Sequence, residues 1–262
     1  MIKKITSLEN KHIKHVIKLI KKSKLRKKTK TFVVEGYREL KMAHKNGYEI
    51  IKIFCDSNIV NLNDVSYNFK SNIIEVNSAI YSKISLRKST EGLVALVREK
   101  NKRIYINRTK INLAVVIDGV EKPGNLGAIL RSCDASDVDL IILTNQKCDL
   151  FNPNVIRSSI GSVFSQNIFQ LECSEAFDIL KKYNFSIYST SLNDSVCYHS
   201  IKYKNSCAII FGSENLGISE FWKNKSDKLI KIPMLGRIDS LNVSVSAGII
   251  LSEVNRQNKF SR

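Results

Sequence analysis

Two hydrophobic periods alternate along the chain. Ile13, Val16, Ile17 and Ile20 recur at helical spacing and predict a helix over residues 7–22, with Thr6 and Glu9 at capping-box spacing. From residue 31 the period shortens. "TFVVEG" predicts a strand and "YRELKMAHKNG" a short helix closed by Gly47. "EIIKIFCD", "NIIEV" and "GLVALVRE" predict further strands, with a helix at 77–84. Together these make a small α/β unit, residues 1–99. "KNKRIYINRTK", residues 100–110, is basic and without period, and reads as a linker.

The second unit, residues 111–262, opens with "INLAVVIDGV", an apolar run of the kind buried in parallel sheets. A helix is expected at 125–135, then strand "DLIILT", a helical region after Pro153 and another helix near 174–183. Strands "FSIYSTS", "CAIIFGS" and "KLIKIP" follow. Strands alternating with helices predict a parallel sheet covered on both faces. The final stretch, "SLNVSVSAGIILSEVNRQ", carries both periods. Its alternation fails at Gly248-Ile249-Ile250-Leu251, whereas Val243, Ala247, Ile250, Leu251 and Val254 keep one helical face. It therefore predicts a helix starting close to Asn242. The neighbouring stripe of Ser244, Gly248, Ser252 and Asn255 would let a second helix approach closely, either across a dimer seam or within the subunit.

Charge adds a partner class. The chain has 42 Lys plus Arg against 24 Asp plus Glu, a net charge of +18. Such a field favours a polyanion, an anionic membrane or simple solvation. Residues 21–30, "KKSKLRKKTK", hold seven positive charges and no acid, the mark of an interaction tail or a solvated face, with nucleic-acid contact favoured. The six cysteines form no CxxC pair, which points to free thiols in a reducing compartment. No apolar run reaches the roughly 18 residues of a membrane span, and no apolar segment follows the N-terminal lysines. The expectation is a cytoplasmic protein with no membrane partner and no metal.

Chemistry is expected beyond the carboxyl ends of parallel strands. Three such places carry glycines and polar groups. In "DGVEKPGNLGAILRS", Pro123-Gly124 turns the chain and Asn125 stands as a helix cap ahead of Arg131. In "IIFGSENLGIS", Glu214 lies between Gly212 and Gly217, beside an ordinary reading as a turn that starts the next helix. In "IPMLGRIDSLNVSVSAG", a loop delivers Ser240 and Asn242 to a helix start, where both read as caps. His12, His15 and His199 read as surface groups, and Tyr37, Tyr48, Phe54 and Phe69 as core aromatics before base-stacking ones.

Taken together, the three segments resemble the SpoU (TrmH) family of the SPOUT superfamily, the RNA 2′-O-ribose methyltransferases. The matching residues are Asn125, Gly127, Ala128, Ile129 and Arg131; then Gly212, Glu214 and Gly217; then Ile232, Pro233, Met234, Ser240, Leu241, Asn242, Val243, Ser244 and Ala247. Asn215 and Cys133 depart from the pattern, where glycine and a smaller residue are usual. "FVVEGYRELKMA" is similar to the L30e-like substrate-binding domain of many members. The resemblance implies a small L30e-like α/β domain followed by a parallel-sheet SPOUT domain with a trefoil knot. It implies S-adenosylmethionine as cofactor, held through Gly212, Gly217, Ile232, Met234 and Leu241, and a homodimer. It implies catalysis by Arg131 with Asn125, Glu214, Ser240 and Asn242. A guanidinium is a poor base at neutral pH, so Arg131 reads first as a holder of phosphate or hydroxyl. The expected substrate is a structured RNA, ribosomal before transfer RNA. The rival readings are a non-catalytic RNA-binding protein that keeps the fold and a nucleotide-dependent Rossmann enzyme. The missing GxGxxG speaks against the latter.

Overall fold

A computed structural model describes residues 2–69, 72–86, 91–100 and 112–258. The linker expectation falls almost wholly outside them. The described elements in chain order are β1 (Lys3–Ile5), α1 (Lys11–Lys21), α2 (Ser23–Thr29), β2 (Thr31–Glu35), α3 (Tyr37–Lys45), β3 (Ile50–Asp56), α4 (Leu62–Phe69), β4 (Ile73–Val76), α5 (Ser78–Ile84) and β5 (Leu93–Arg98). Then come β6 (Leu113–Asp118), α6 (Pro123–Ala135), β7 (Leu140–Thr144), α7 (Pro153–Ser158), β8 (Ile168–Gln170), α8 (Cys173–Lys182), β9 (Ser186–Thr190), β10 (Val196–Cys197), β11 (Cys207–Phe211), α9 (Glu220–Lys225), β12 (Lys228–Lys231) and α10 (Val243–Asn258). Two compact units result: Met1–Lys102 with Asp149–Ser165, and Arg103–Cys148 with Gln166–Arg262. Sequence order puts 149–165 in the second unit, but its packing is with the first.

The first unit is a mixed sheet in the order β1-β4-β3-β5-β2, with β5 antiparallel to both neighbours. Its core is built where Ile13, Val16 and Leu19 of α1 meet Phe54, Ile74 and Val94. Tyr48, Phe54 and Phe69 are buried in this unit, so none of them offers a ring to a base. Helix α1 starts at Lys11, not at residue 7. Pairing of β1 with β4 keeps residues 3–5 extended, and the Asn10 side chain caps the helix by accepting the His12 amide at 2.9 Å. The basic run is no tail. Residues 23–29 are helical, and Arg26 within them is buried.

The second unit is a seven-stranded parallel sheet, β10-β12-β9-β11-β6-β7-β8. Its central strands β6 and β11 are buried at every position and pair in register from Leu113 with Cys207 to Ile117 with Phe211. That burial on both faces is why their sequences are continuously apolar instead of alternating. Helix α6 begins at Pro123, the favoured first position, so Asn125 lies inside the first turn and is not the cap. Helix α10 begins at Val243, and Asn242 Oδ1 accepts the Ser244 amide at 2.9 Å. Two residues of the small stripe on α10, Gly248 and Asn255, pack within the unit, and Ser252 is exposed. A Cβ on Gly248 would stand 3.8 Å from Ser132 Oγ of α6, and Asn255 Nδ2 donates to the Ser136 carbonyl at 2.9 Å. α9 begins at Glu220, so Glu214 lies in the preceding loop and not in a helix's first turn.

Candidate active site at the strand ends of the second unit

Three neighbouring strands, β11, β6 and β7, end side by side, and the loops that leave them carry the polar residues. Asp118 terminates β6 and is 2 % exposed. One carboxylate oxygen accepts Thr144 Oγ1 at 3.0 Å and Asn145 Nδ2 at 2.7 Å from the end of β7; the other accepts the Ser219 amide at 2.7 Å. A single buried carboxylate thus ties the ends of β6 and β7 to the loop after β11. The sequence reading did not single it out. Its signal was a lone acid closing an apolar strand directly before a glycine, and Gly119 has φ +69.

The loop after β11 is a closed lasso. Ser213 and Gly217 exchange two backbone hydrogen bonds, 2.9 and 3.0 Å long. Gly217 at φ +67 permits the reversal. Gly212 has no room for a side chain, since a Cβ there would lie 2.1 Å from the Gly217 carbonyl carbon. The lasso holds Glu214 half-buried and aims it at α6. Asn125 Nδ2 donates to Glu214 Oε1, and Asn242 Nδ2 donates to Asn125 Oδ1 at 3.1 Å. Three of the five expected catalytic residues therefore form one chain of hydrogen bonds, drawn from two loops and the first turn of α6. Asn242 serves twice, because its own Oδ1 accepts the amide and, at 2.7 Å, the hydroxyl of Ser244.

The other two stand apart from this chain. Arg131 lies exposed, two turns along α6 from Asn125, and has no hydrogen-bond or ion-pair partner among the described residues. Ser240 is exposed and, among the described residues, its side chain bonds only Asp239, at 3.3 Å. Of the residues expected to hold a cofactor, Gly212 is buried, Gly217 exposed, and Ile232, Met234 and Leu241 half-buried. Between Met234 and Leu241 no backbone amide finds a backbone partner among the described residues. Leu235, within that loop, is 98 % exposed, and Leu216 on the lasso 76 %. Among the described residues the site thus offers open backbone donors and acceptors, exposed aliphatic side chains and two guanidiniums without a partner, Arg131 and Arg237.

Cys173 sits at the edge of this network, accepting Asn145 Nδ2 at 3.3 Å. Burial, and next the Asp118 carboxylate, raise its pKa above the ordinary thiol value, so it is a poor nucleophile. All six cysteines are free. Among the described residues no cluster of three His, Cys, Asp or Glu could hold a metal, and no helix is long and apolar enough to cross a membrane.

Residues 112–252 match the SpoU rRNA methylase family, and residues 10–95 match the MRM3-like substrate-binding domain. The chain is 28 % identical over 250 residues to the 23S rRNA (guanosine(2553)-2′-O)-methyltransferase RlmP of Bacillus subtilis, covering 95 % of this chain and 98 % of that protein. It is 31 % identical over 241 residues to a Staphylococcus epidermidis protein named for the TrmH family of tRNA/rRNA methyltransferases, covering 86 % and 95 %. Among solved structures, an RNA 2′-O ribose methyltransferase aligns with TM-score 0.86 and 34 % identity, over 97 % of this chain and 98 % of that one. An AdoMet-bound rRNA methyltransferase from Sinorhizobium meliloti aligns with TM-score 0.85 and 27 % identity, over the same shares. The strand-end loops, the bonded triad within them and the match across residues 112–252 lead to one conclusion: the chain belongs to the SpoU rRNA methylase family.

Proposed function

We propose that this SpoU-family methyltransferase uses S-adenosylmethionine to methylate a ribose 2′-hydroxyl of ribosomal RNA, 23S RNA before transfer RNA, as a cytoplasmic homodimer. The observation that carries the reading is the bonded chain Glu214–Asn125–Asn242, which joins two strand-end loops through the first turn of α6, the helix that also carries Arg131, unpartnered among the described residues. The substrate class is supported by the names of the relatives, with the Bacillus subtilis protein acting on 23S RNA.

The residues present fit the cofactor. A ligand with adenine, ribose and a sulfonium-bearing amino acid needs hydrogen bonds to its polar edges and aliphatic contact elsewhere. The lasso from Gly212 to Gly217 and the loop through Ile232, Met234 and Leu241 offer both, largely through backbone. A side chain at Gly212 would break the lasso that shapes this wall. When bound, S-adenosylmethionine supplies a methyl carbon made electrophilic by its sulfonium.

The protein's own residues then have three tasks. Arg131, without a partner among the described residues, grips the target's phosphate or hydroxyl with its planar fork. Its positive charge stabilises the oxygen as the hydroxyl proton is lost. Asn125, locked between Glu214 and Asn242, cannot rotate and so presents a fixed polar edge to the ribose. Ser240, exposed beside Leu241, adds a hydroxyl at the mouth of the site. Positioning of an attacking oxygen in line with a methyl carbon supplies much of such an acceleration, up to about 7–11 kcal/mol in well-oriented systems.

The test is transfer of label from methyl-labelled S-adenosylmethionine to ribosomal RNA, followed by mapping of 2′-O-methyl sites in cells with and without the protein. Arg131→Ala is expected to lower kcat on the order of 10²–10³-fold while leaving cofactor affinity, read by calorimetry, unchanged. No labelled RNA from the wild type would sink the proposal. Loss of a transfer-RNA methyl instead of a 23S one would overturn the substrate assignment.

A further inference from the structure

We infer that α1 and α2 form a rigid lysine ladder that grips the phosphate backbone of a structured RNA. This rests on the reading of the substrate as RNA, and adds where and how the backbone is held.

The ladder begins with helical spacing. Lys11, Lys14, Lys18 and Lys21 lie three or four residues apart, which brings them to one edge of α1 over about 15 Å of axis. Lys24, Lys27 and Lys28 share an exposed edge of α2 in the same way. All seven side chains are exposed. Among the described residues, only Lys14 of these seven is in an ion pair, with Glu9. A nucleic-acid strand in a duplex carries a phosphate about every 3.4 Å of axis, so the α1 edge alone faces four or five of them.

The ladder is held stiff from beneath. Arg26, inside the basic run, turns inward and is 4 % exposed. Its Nε donates to Asp149 Oδ2 at 2.7 Å, and one terminal nitrogen donates to the carbonyls of Leu19 and Ile20 at 2.5 and 3.1 Å. Those carbonyls belong to the last turn of α1, where helix carbonyls lack intrahelical partners. Ser23 Oγ donates to the same carboxylate oxygen at 3.0 Å. Arg26 therefore latches α2 onto the end of α1, and the backbone that carries the lysines is fixed before any partner arrives. A ladder ordered in advance avoids the entropic cost that a flexible basic tail meets on binding.

The underside also selects the partner. An amphipathic helix that binds membranes needs an exposed apolar face. The apolar residues of α1 are spent in the protein's own core, with Ile13 and Leu19 at 0 % exposure and Val16 at 1 %. Leu25 of α2 packs on the same cluster. The exposed residues of the two helices are all lysines, the complement of a phosphate backbone. His12 reports the same field: desolvation first, then Lys52, Lys11 and Lys3, hold its pKa below the usual histidine value.

The test uses the whole protein and a fluorescein-labelled RNA hairpin, with affinity followed by anisotropy over a potassium chloride series. The variant carries K18Q, K21Q, K24Q and K27Q. Four lost phosphate contacts should lower the slope of log affinity against log salt by about three and weaken binding more than tenfold at low salt. A control with the same loss of charge at exposed sites elsewhere carries K41Q, K45Q, K83Q and K202Q, and its slope should stay near the wild-type value. An unchanged slope in the first variant overturns the ladder, and so does an equal drop in both, which would mean that only net charge counts. Vesicles containing phosphatidylserine form the membrane arm. Ladder-dependent vesicle binding with unaltered RNA affinity also overturns the inference. Because the readout is binding, a wild type that grips RNA through the ladder yet transfers no methyl would refute the enzymatic reading and leave this one standing.

Discussion

At the scale of single residues, the site depends on a glycine with no space and an asparagine with no freedom. Gly212 is buried against the peptide that joins Gly217 to Ile218, so alanine there must push apart the lasso that carries Glu214. Gly212→Ala is expected to cost on the order of 3 kcal/mol and to abolish detectable cofactor binding. Gly236 is the contrast, since nothing lies within 4 Å of a Cβ built there. Gly236→Ala should shift stability by less than about 0.5 kcal/mol. Thermal melts of the two variants beside the wild type decide the matter; equal melts for both would refute the steric reading. Both glycines stand in sequence motifs of similar appearance. Only the approach of a second backbone segment distinguishes them.

At the scale of elements, the most informative departure from sequence expectation is the basic run. Seven positive charges in ten residues read as a tail or a solvated face, because periodicity cannot show that one of the seven faces inward. The tertiary partner of Arg26 is Asp149, 123 residues away. That ion pair is nearly water-free, with Asp149 at 11 % side-chain exposure. Asp149→Ala leaves a buried guanidinium short of its counter-charge and is expected to destabilise the protein by about 3–5 kcal/mol. Replacing both partners, Arg26→Met with Asp149→Leu, should recover most of that loss. Urea melts read the difference, and a cost below about 1 kcal/mol for the single variant would show the pair to behave like a surface one. Helix α10 teaches a related lesson. Its small stripe left two packing partners open, and Gly248 and Asn255 meet α6 of the same unit.

At the scale of the whole molecule, a charge of +18 sets up a field that favours a polyanionic partner. The proposed homodimer makes a separate prediction: sedimentation velocity should give a species of twice the chain mass of 29.7 kDa, with a melting temperature that rises with protein concentration. A species of single chain mass at all concentrations would refute it. Most of the architecture was legible. The twelve described strands include the nine read from the sequence, and the three new ones, β1, β8 and β10, are two or three residues long. Segments that short hold too few side chains to display a period.

The sequence by itself determined the local order: where helices and strands lie, which stretches are apolar enough for a parallel sheet, and which residue types stand at the strand ends. Those properties depend on neighbours within a turn or a pleat. It also determined that Asn125, Glu214 and Asn242 are polar groups in loops. Only the tertiary structure decided that they touch, because they lie 89 and 117 residues apart and meet when β11 inserts beside β6 and α10 returns to α6. It likewise decided that Asp118 ties the strand ends together, and that Arg26 is a latch while its neighbouring lysines face solvent. Burial and long-range pairing are properties of the folded chain as a whole, and no window of a few residues contains them.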